Sequence, residues 1–363
     1  MIHLRVNLLF VALLVIGCGG AQSGEDTFAV TVVPPDRDEQ VVALLEAARD
    51  NDLKKIESIL DTNIDVDSPG QGGKTALMVA AALGNEETVR FLLDRGAVVD
   101  VGVESGATAL MLAAGLDRFE VVGILLDKGA NVNARTKPDE MTALMFAAMK
   151  GAKKTVQLLI DKGADPNLAE SSGETALIAA AAEGHLEVMQ ILVEHGAEPK
   201  VAKKDGKTAL MFAALSQKPQ ATQFLLDKGA DPGKTDSDGM DALMTASRGG
   251  QAETIKLLLK SGADPKRKKK GGWTALMYAS GEGHNNVVKL LIDGGAEVDA
   301  TNTAGWSALL FAAGRGHAEI VRLLMENGAD PNRKDGLGQT AAKVAGDNGH
   351  EEVVNILPGG SKK

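Results

Sequence analysis

The sequence predicts an all-α fold, a solenoid of about ten helix-turn-helix units separated by turn and finger loops, and three observations predict it. A Thr-Ala-Leu triplet or a near match recurs at Thr75, Thr108, Thr142, Thr175, Thr208, Asp241, Thr274, Ser307 and Thr340, at steps of 33 residues with one step of 34. A stretch with apolar residues at i, i+3 and i+4 follows, as in Val156, Leu159 and Ile160, the spacing of one helix face. A Gly-Ala pair and a turn rich in Asp or Asn then close the unit.

The first helix of each unit is expected to begin at the Thr, whose hydroxyl accepts a free backbone N–H, and to stop at a glycine such as Gly84, Gly151, Gly184 or Gly283. The second is expected to stop at Gly96, Gly129, Gly163, Gly196, Gly229, Gly262, Gly295 or Gly328, because only glycine adopts the left-handed cap cheaply. Asp117 and Gln217 stand where a first-helix glycine belongs, and the extra residue of the 34-step unit falls at Lys137-Pro138. Irregular, projecting loops are expected there. The repeats span 38–357, with an opening cap over 38–70 that lacks the triplet, a truncated closing cap over 339–357, and a disordered tail over 358–363.

Residues 1–17 read as an export signal. His3 and Arg5 give a positive end, Leu8 to Ile16 are apolar, and small residues follow. Val15-Ile16-Gly17-Cys18 resembles the bacterial lipobox, which implies a lipidated Cys18 as the first mature residue and an anchor in the membrane. An ordinary signal peptide with an incidental Cys18 is the alternative, and it implies a soluble periplasmic protein. Gly19 after the cysteine, rather than Asp, favours the periplasmic face of the outer membrane. Residues 18–37 read as a flexible tether with a root-mean-square reach of roughly 24 Å.

Composition narrows the chemistry. The chain has 363 residues, 39 Lys and Arg against 49 Asp and Glu, and a net charge of −10, so nucleic acid is not an expected partner. Removing residues 1–17 takes away Arg5 and leaves the mature chain at −11. The only cysteine is Cys18, so no disulfide, multi-cysteine zinc site or CxxC pair can form. No HExxH motif or serine elbow occurs, and lipidation consumes the one thiol, so neither catalysis nor a cofactor is expected. The Asp236 to Asp241 stretch fails the register of a calcium loop, and no metal is expected there.

The unit around Gly184 continues G-H-L-E-V-M-Q-I-L-V-E-H-G-A, Gly163 to Asn167 reads G-A-D-P-N, and Asp335 to Thr340 reads D-G-L-G-Q-T. On these motifs the chain resembles the ankyrin repeat family over about residues 39–357. Two departures are systematic: the family's Pro is Ala, and its His is Met at Met78, Met111, Met145, Met211, Met244 and Met277. The expectation is a seam of packed thioethers in place of a polar network. His185, His284, His317 and His350 sit at the family's Gly-His position and His195 ends a helix, so all five have scaffold roles.

The resemblance implies a concave binding face made of finger tips and first helices. Just before the Thr, the series runs Lys74, Ala107, Met141, Glu174, Lys207, Met240, Trp273, Trp306 and Gln339. Both tryptophans occupy this slot in adjacent units. They are expected to form an exposed platform, the alternative being that each packs into the stack. Beside them lies Lys266-Arg267-Lys268-Lys269-Lys270, with Arg248 and Arg315 on flanking first helices. A second, apolar surface is expected at Met141, Met149, Leu116, Leu215 and Met240.

The function expected is a non-catalytic scaffold or adaptor, anchored in the bacterial envelope and binding an envelope protein. Two alternatives use the same face: an inhibitor or immunity protein for an envelope enzyme, and a binder of glycan or lipid headgroups through the basic and aromatic patch.

Overall fold

The computed structural model describes residues 37–359. The lipobox Cys18, the signal and the tether up to residue 36 lie outside the described residues. The described chain holds paired helices and isolated two-residue β-bridges, with no extended strand. In order, the helices are α1 (Arg37–Asp50), α2 (Leu53–Leu60), α3 (Ala76–Leu83), α4 (Glu86–Asp94), α5 (Ala109–Gly115), α6 (Phe119–Asp127), α7 (Ala143–Lys150), α8 (Lys153–Asp161), α9 (Ala176–Glu183) and α10 (Leu186–Glu194). They continue as α11 (Ala209–Leu215), α12 (Pro219–Asp227), α13 (Ala242–Arg248), α14 (Ala252–Lys260), α15 (Ala275–Glu282), α16 (Asn285–Asp293), α17 (Ala308–Gly314), α18 (Ala318–Glu326), α19 (Ala341–Asp347) and α20 (Glu351–Ile356).

Helices this short do not persist alone in water, so capping and packing must hold them. Capping follows the triplet: the N–H of Met78, Met111, Met145, Ile178, Met211 and Met277 donates to the hydroxyl of the Thr three residues before. Asp241 and Ser307 do the same for Met244 and Leu310. At the other end, Gly84, Gly151 and Gly283 take left-handed φ values of 82°, 74° and 83°. The second-helix glycines lie at φ between 81° and 94°.

Two compact units result, one running to Ala180 with Gln190–Ala197, the other comprising Ala181–Met189 and the chain from Glu198 on. Within each, a first helix packs on its own second helix and on the first helices of neighbouring repeats. The core is Ala and Leu of the first helices interlocked with Val, Ile and Leu of the second. Met78, Met111, Met145, Met211, Met244 and Met277 are all buried within it, as packing residues.

No projecting loop forms at the two units that lack the glycine. Asp117 and Gln217 instead take the left-handed conformation themselves, at φ 55° and 62°, and the connection stays short. In the longer unit Glu140, at φ 60°, takes the place that glycine holds in the other fingers.

Candidate partner-binding surface

In three fingers the turn is held by the side chain of the residue five before the capping position. Asn302 Oδ1 accepts from Ala304 and Trp306 N–H at 3.0 and 2.9 Å, and Asp335 and Asp236 make the same pair of bonds in their fingers. Successive finger tips are joined by backbone bonds. In the second unit Ser237 N–H donates to Asp205 O, Lys270 to Asp238 O, Thr303 to Gly271 O and Gly336 to Ala304 O.

This linkage fixes the slot that holds the tryptophans. Trp273 stacks on Tyr278 of its own first helix, ring centres 5.0 Å apart, and reaches Phe311 of the next at 4.5 Å. Trp306 meets Phe311 at 4.9 Å. The result is a continuous row, Tyr278–Trp273–Phe311–Trp306, with every member half-buried. The two alternatives for the tryptophans therefore merge: each packs into the stack on one side and keeps surface on the other. Gly314 lies under the row: a Cβ there would meet Trp306 Cζ3 at an ordinary contact distance of 3.5 Å and would crowd Val344 Cγ1 at 3.1 Å. Tyr278 and Phe311 were not singled out in the sequence; the signal was their place five residues after each tryptophan.

The basic run divides. Lys266, Lys268 and Lys270 are exposed, and Lys269 is half-buried. Lys268 lies 4.0 Å from Glu297. Arg267 turns inward, its Nε 3.3 Å from Oδ2 of Asp241, whose side chain is 1% exposed. It is thus committed to a buried carboxylate and is withdrawn from the candidate surface. The contact is ionic without hydrogen-bond alignment, and neither atom has another partner. Burial pushes the Asp241 carboxyl above the usual range, and the Met244 N–H and Arg267 offset this only in part.

Arg248 and Arg315 are exposed at the ends of α13 and α17 and, with Lys269 and Lys270, make no ion pair among the described residues. Met240 is half-buried beside them in the slot. The second, apolar surface does not assemble as expected: Met141 and Met149 are 8% and 5% exposed and belong to the core, leaving Leu116 half-buried and Leu215 exposed. In the longer unit the N–H of Met141 donates to Thr136 Oγ1 at 2.9 Å.

Three histidines tie neighbouring repeats together. Nε2 of His284, His317 and His350 meets the carbonyl of Arg248, Gly281 and Gly314 at 3.2, 3.1 and 3.1 Å, satisfying the frayed end of the preceding first helix. A family model described as ankyrin repeats (3 copies) matches residues 44–136, 144–236, 210–302 and 294–362. The chain belongs to the ankyrin repeat family. No curated protein matches it. Ankyrin repeats are in general protein–protein interaction modules and typically lack enzymatic activity. Among the described residues of this ankyrin array, no group of three or more His, Cys, Asp or Glu is arranged to hold a metal, and no helix is long and apolar enough to cross a membrane.

Proposed function

We propose that this ankyrin array is a non-catalytic scaffold or adaptor that holds a partner protein on the finger and first-helix face of its second unit. The observation that carries this reading is the half-exposed row of four rings, flanked by Arg248, Lys269, Lys270 and Arg315. Tryptophan, tyrosine and arginine side chains are enriched among the residues that carry binding energy at interfaces. The unpaired cations would orient an incoming acidic surface. The lipobox-like segment ending at Cys18 supports export and a lipid anchor in the bacterial envelope, and Gly19 supports the periplasmic face of the outer membrane.

The test is crosslinked capture from the native envelope, comparing wild type with Trp273→Ala/Trp306→Ala. The expected result is a partner held by wild type and lost from a variant whose helical circular dichroism is unchanged. Equal capture by both overturns the assignment. Assaying the captured protein alone and in complex separates an adaptor from an inhibitor or immunity protein. Capture of glycan or lipid in place of protein, fading with salt, would establish the headgroup alternative.

A further inference from the structure

A side-chain hydrogen bond ties one loop to the next along much of the array. Its acceptor stands four residues after the left-handed residue that ends the second helix. Val98 N–H donates to Asp67 Oδ2 at 2.9 Å, Asn131 N–H to both Asp100 oxygens at 3.1 Å, and Asp165 N–H to Asn133 Oδ1 at 2.9 Å. In the second unit Asp330 N–H donates to Asp299 Oδ1 at 3.0 Å.

Three successive loops of that unit lack the acceptor, because Lys200, Gly233 and Lys266 occupy its position. The N–H groups of Asp231, Asp264 and Glu297 accordingly have no hydrogen-bond partner among the described residues. The local turn is nevertheless unchanged. Gly233 and Lys266 N–H donate to Asp231 and Asp264 Oδ1 at 2.8 and 2.9 Å, as Asn133 N–H does to Asn131 Oδ1 at 3.1 Å. The donors are therefore presented as in the latched loops, but the acceptor oxygen is missing and a lysine occupies its position in two of three cases.

Lys200, Lys234 and Lys266 are exposed and make no ion pair among the described residues. Lys200 and Lys234 line a cavity of about 220 Å³ with Pro199, Thr208, Ala230 and Asp231. The acids nearby are engaged: Asp231 and Asp264 accept within their own turns, and Glu297 lies 4.0 Å from Lys268.

We propose that this strip of loops docks an acidic polypeptide segment, whose carboxylates take the place of the missing Asp and Asn oxygens. Each carboxylate accepts from a vacant backbone N–H and lies against a lysine, a charge-assisted bond stronger than a neutral one. The strip is on the turns that follow the second helices, so it does not rest on the aromatic row, and either assignment can fail alone.

The test uses fluorescence anisotropy of a labelled peptide of alternating Gly and Glu, with the Gly-Gln peptide as control. The full-length chain is expected to bind only the acidic peptide, more weakly as salt rises. In Lys200→Asn/Lys266→Asn the chain supplies its own acceptors, as Asn133 does. That variant should melt at a higher temperature and yet bind about tenfold more weakly or worse, the equivalent of one charge-assisted hydrogen bond. Because the variant is expected to be more stable, its loss of binding is not unfolding. Lys200→Ala/Lys266→Ala removes the charges and leaves the donors open, and should keep part of the affinity. No binding by wild type, or undiminished binding by the stabilised Asn variant, overturns the proposal. Equal losses in the Ala and Asn variants overturn the role of the N–H groups. Binding of inorganic polyphosphate as strong as that of the peptide overturns the polypeptide assignment.

Discussion

Where a glycine ends the first helix, it lets the next repeat approach closely. A Cβ on Gly283 would come within 2.8 Å of His317, and on Gly316 within 2.7 Å of His350, and both residues have positive φ. Gly283→Ala is expected to cost about 1–3 kcal/mol, from the left-handed backbone and the displaced ring, read by chemical denaturation. Gln217, at φ 62°, carries the opposite liability, and Gln217→Gly is expected to gain about 0.5–1 kcal/mol. Asp117→Gly should gain less, because it forfeits the bond from Thr155 Oγ1–H at 2.7 Å. The sequence pattern located both exceptions correctly, but not their outcome, because whether a non-glycine bends or breaks the turn depends on the packing above it.

Asp241 is a second residue where the pattern was visible and its meaning was not. It stands in the register of the capping Thr, and its pKa is raised by burial above the ordinary 3.8. A carboxyl that holds its proton more tightly in the fold than in the unfolded chain makes stability fall as pH rises from that ordinary value through the folded one. Asp241→Thr keeps the cap and removes the titrating carboxyl, and is expected to reduce the fall in stability that wild type shows as pH rises from about 3 toward neutrality. Denaturant titrations at the two pH values measure it.

At the scale of elements, the repeat was legible because every signal lies within one unit: capping hydroxyl, apolar face and terminal glycine. The aromatic row was half legible. Trp273 and Trp306 stood out by composition, whereas Phe311 joins them only because a finger of one repeat meets the first helix of the next. Local periodicity does not encode that crossing. The loop bonds give a prediction of the same kind. Amide exchange at Asp231, Asp264 and Glu297, which lack an acceptor, is expected to be faster than at Val98, Asn131, Asp165 and Asp330, which have one.

At the scale of the molecule, repeats that touch only their neighbours make stability a sum of local terms, so binding surfaces can differ between the two units without disturbing the fold. The acidic chain as a whole, at −10, nonetheless presents unpaired cations around the aromatic row. On the lipid anchor proposed above, Cys18→Ser is expected to shift the protein from the membrane to the soluble envelope fraction, as fractionation would show. The most direct test of the central claim is photocrosslinking in the native envelope, with a photoreactive benzoyl-phenylalanine placed at Lys270 or Arg315 beside the row, and at Glu319 or Glu253 on the second helices. The account predicts a discrete protein adduct from the first pair of positions and none from the second. Adducts of equal yield from both pairs, or from Glu319 and Glu253 alone, would contradict it.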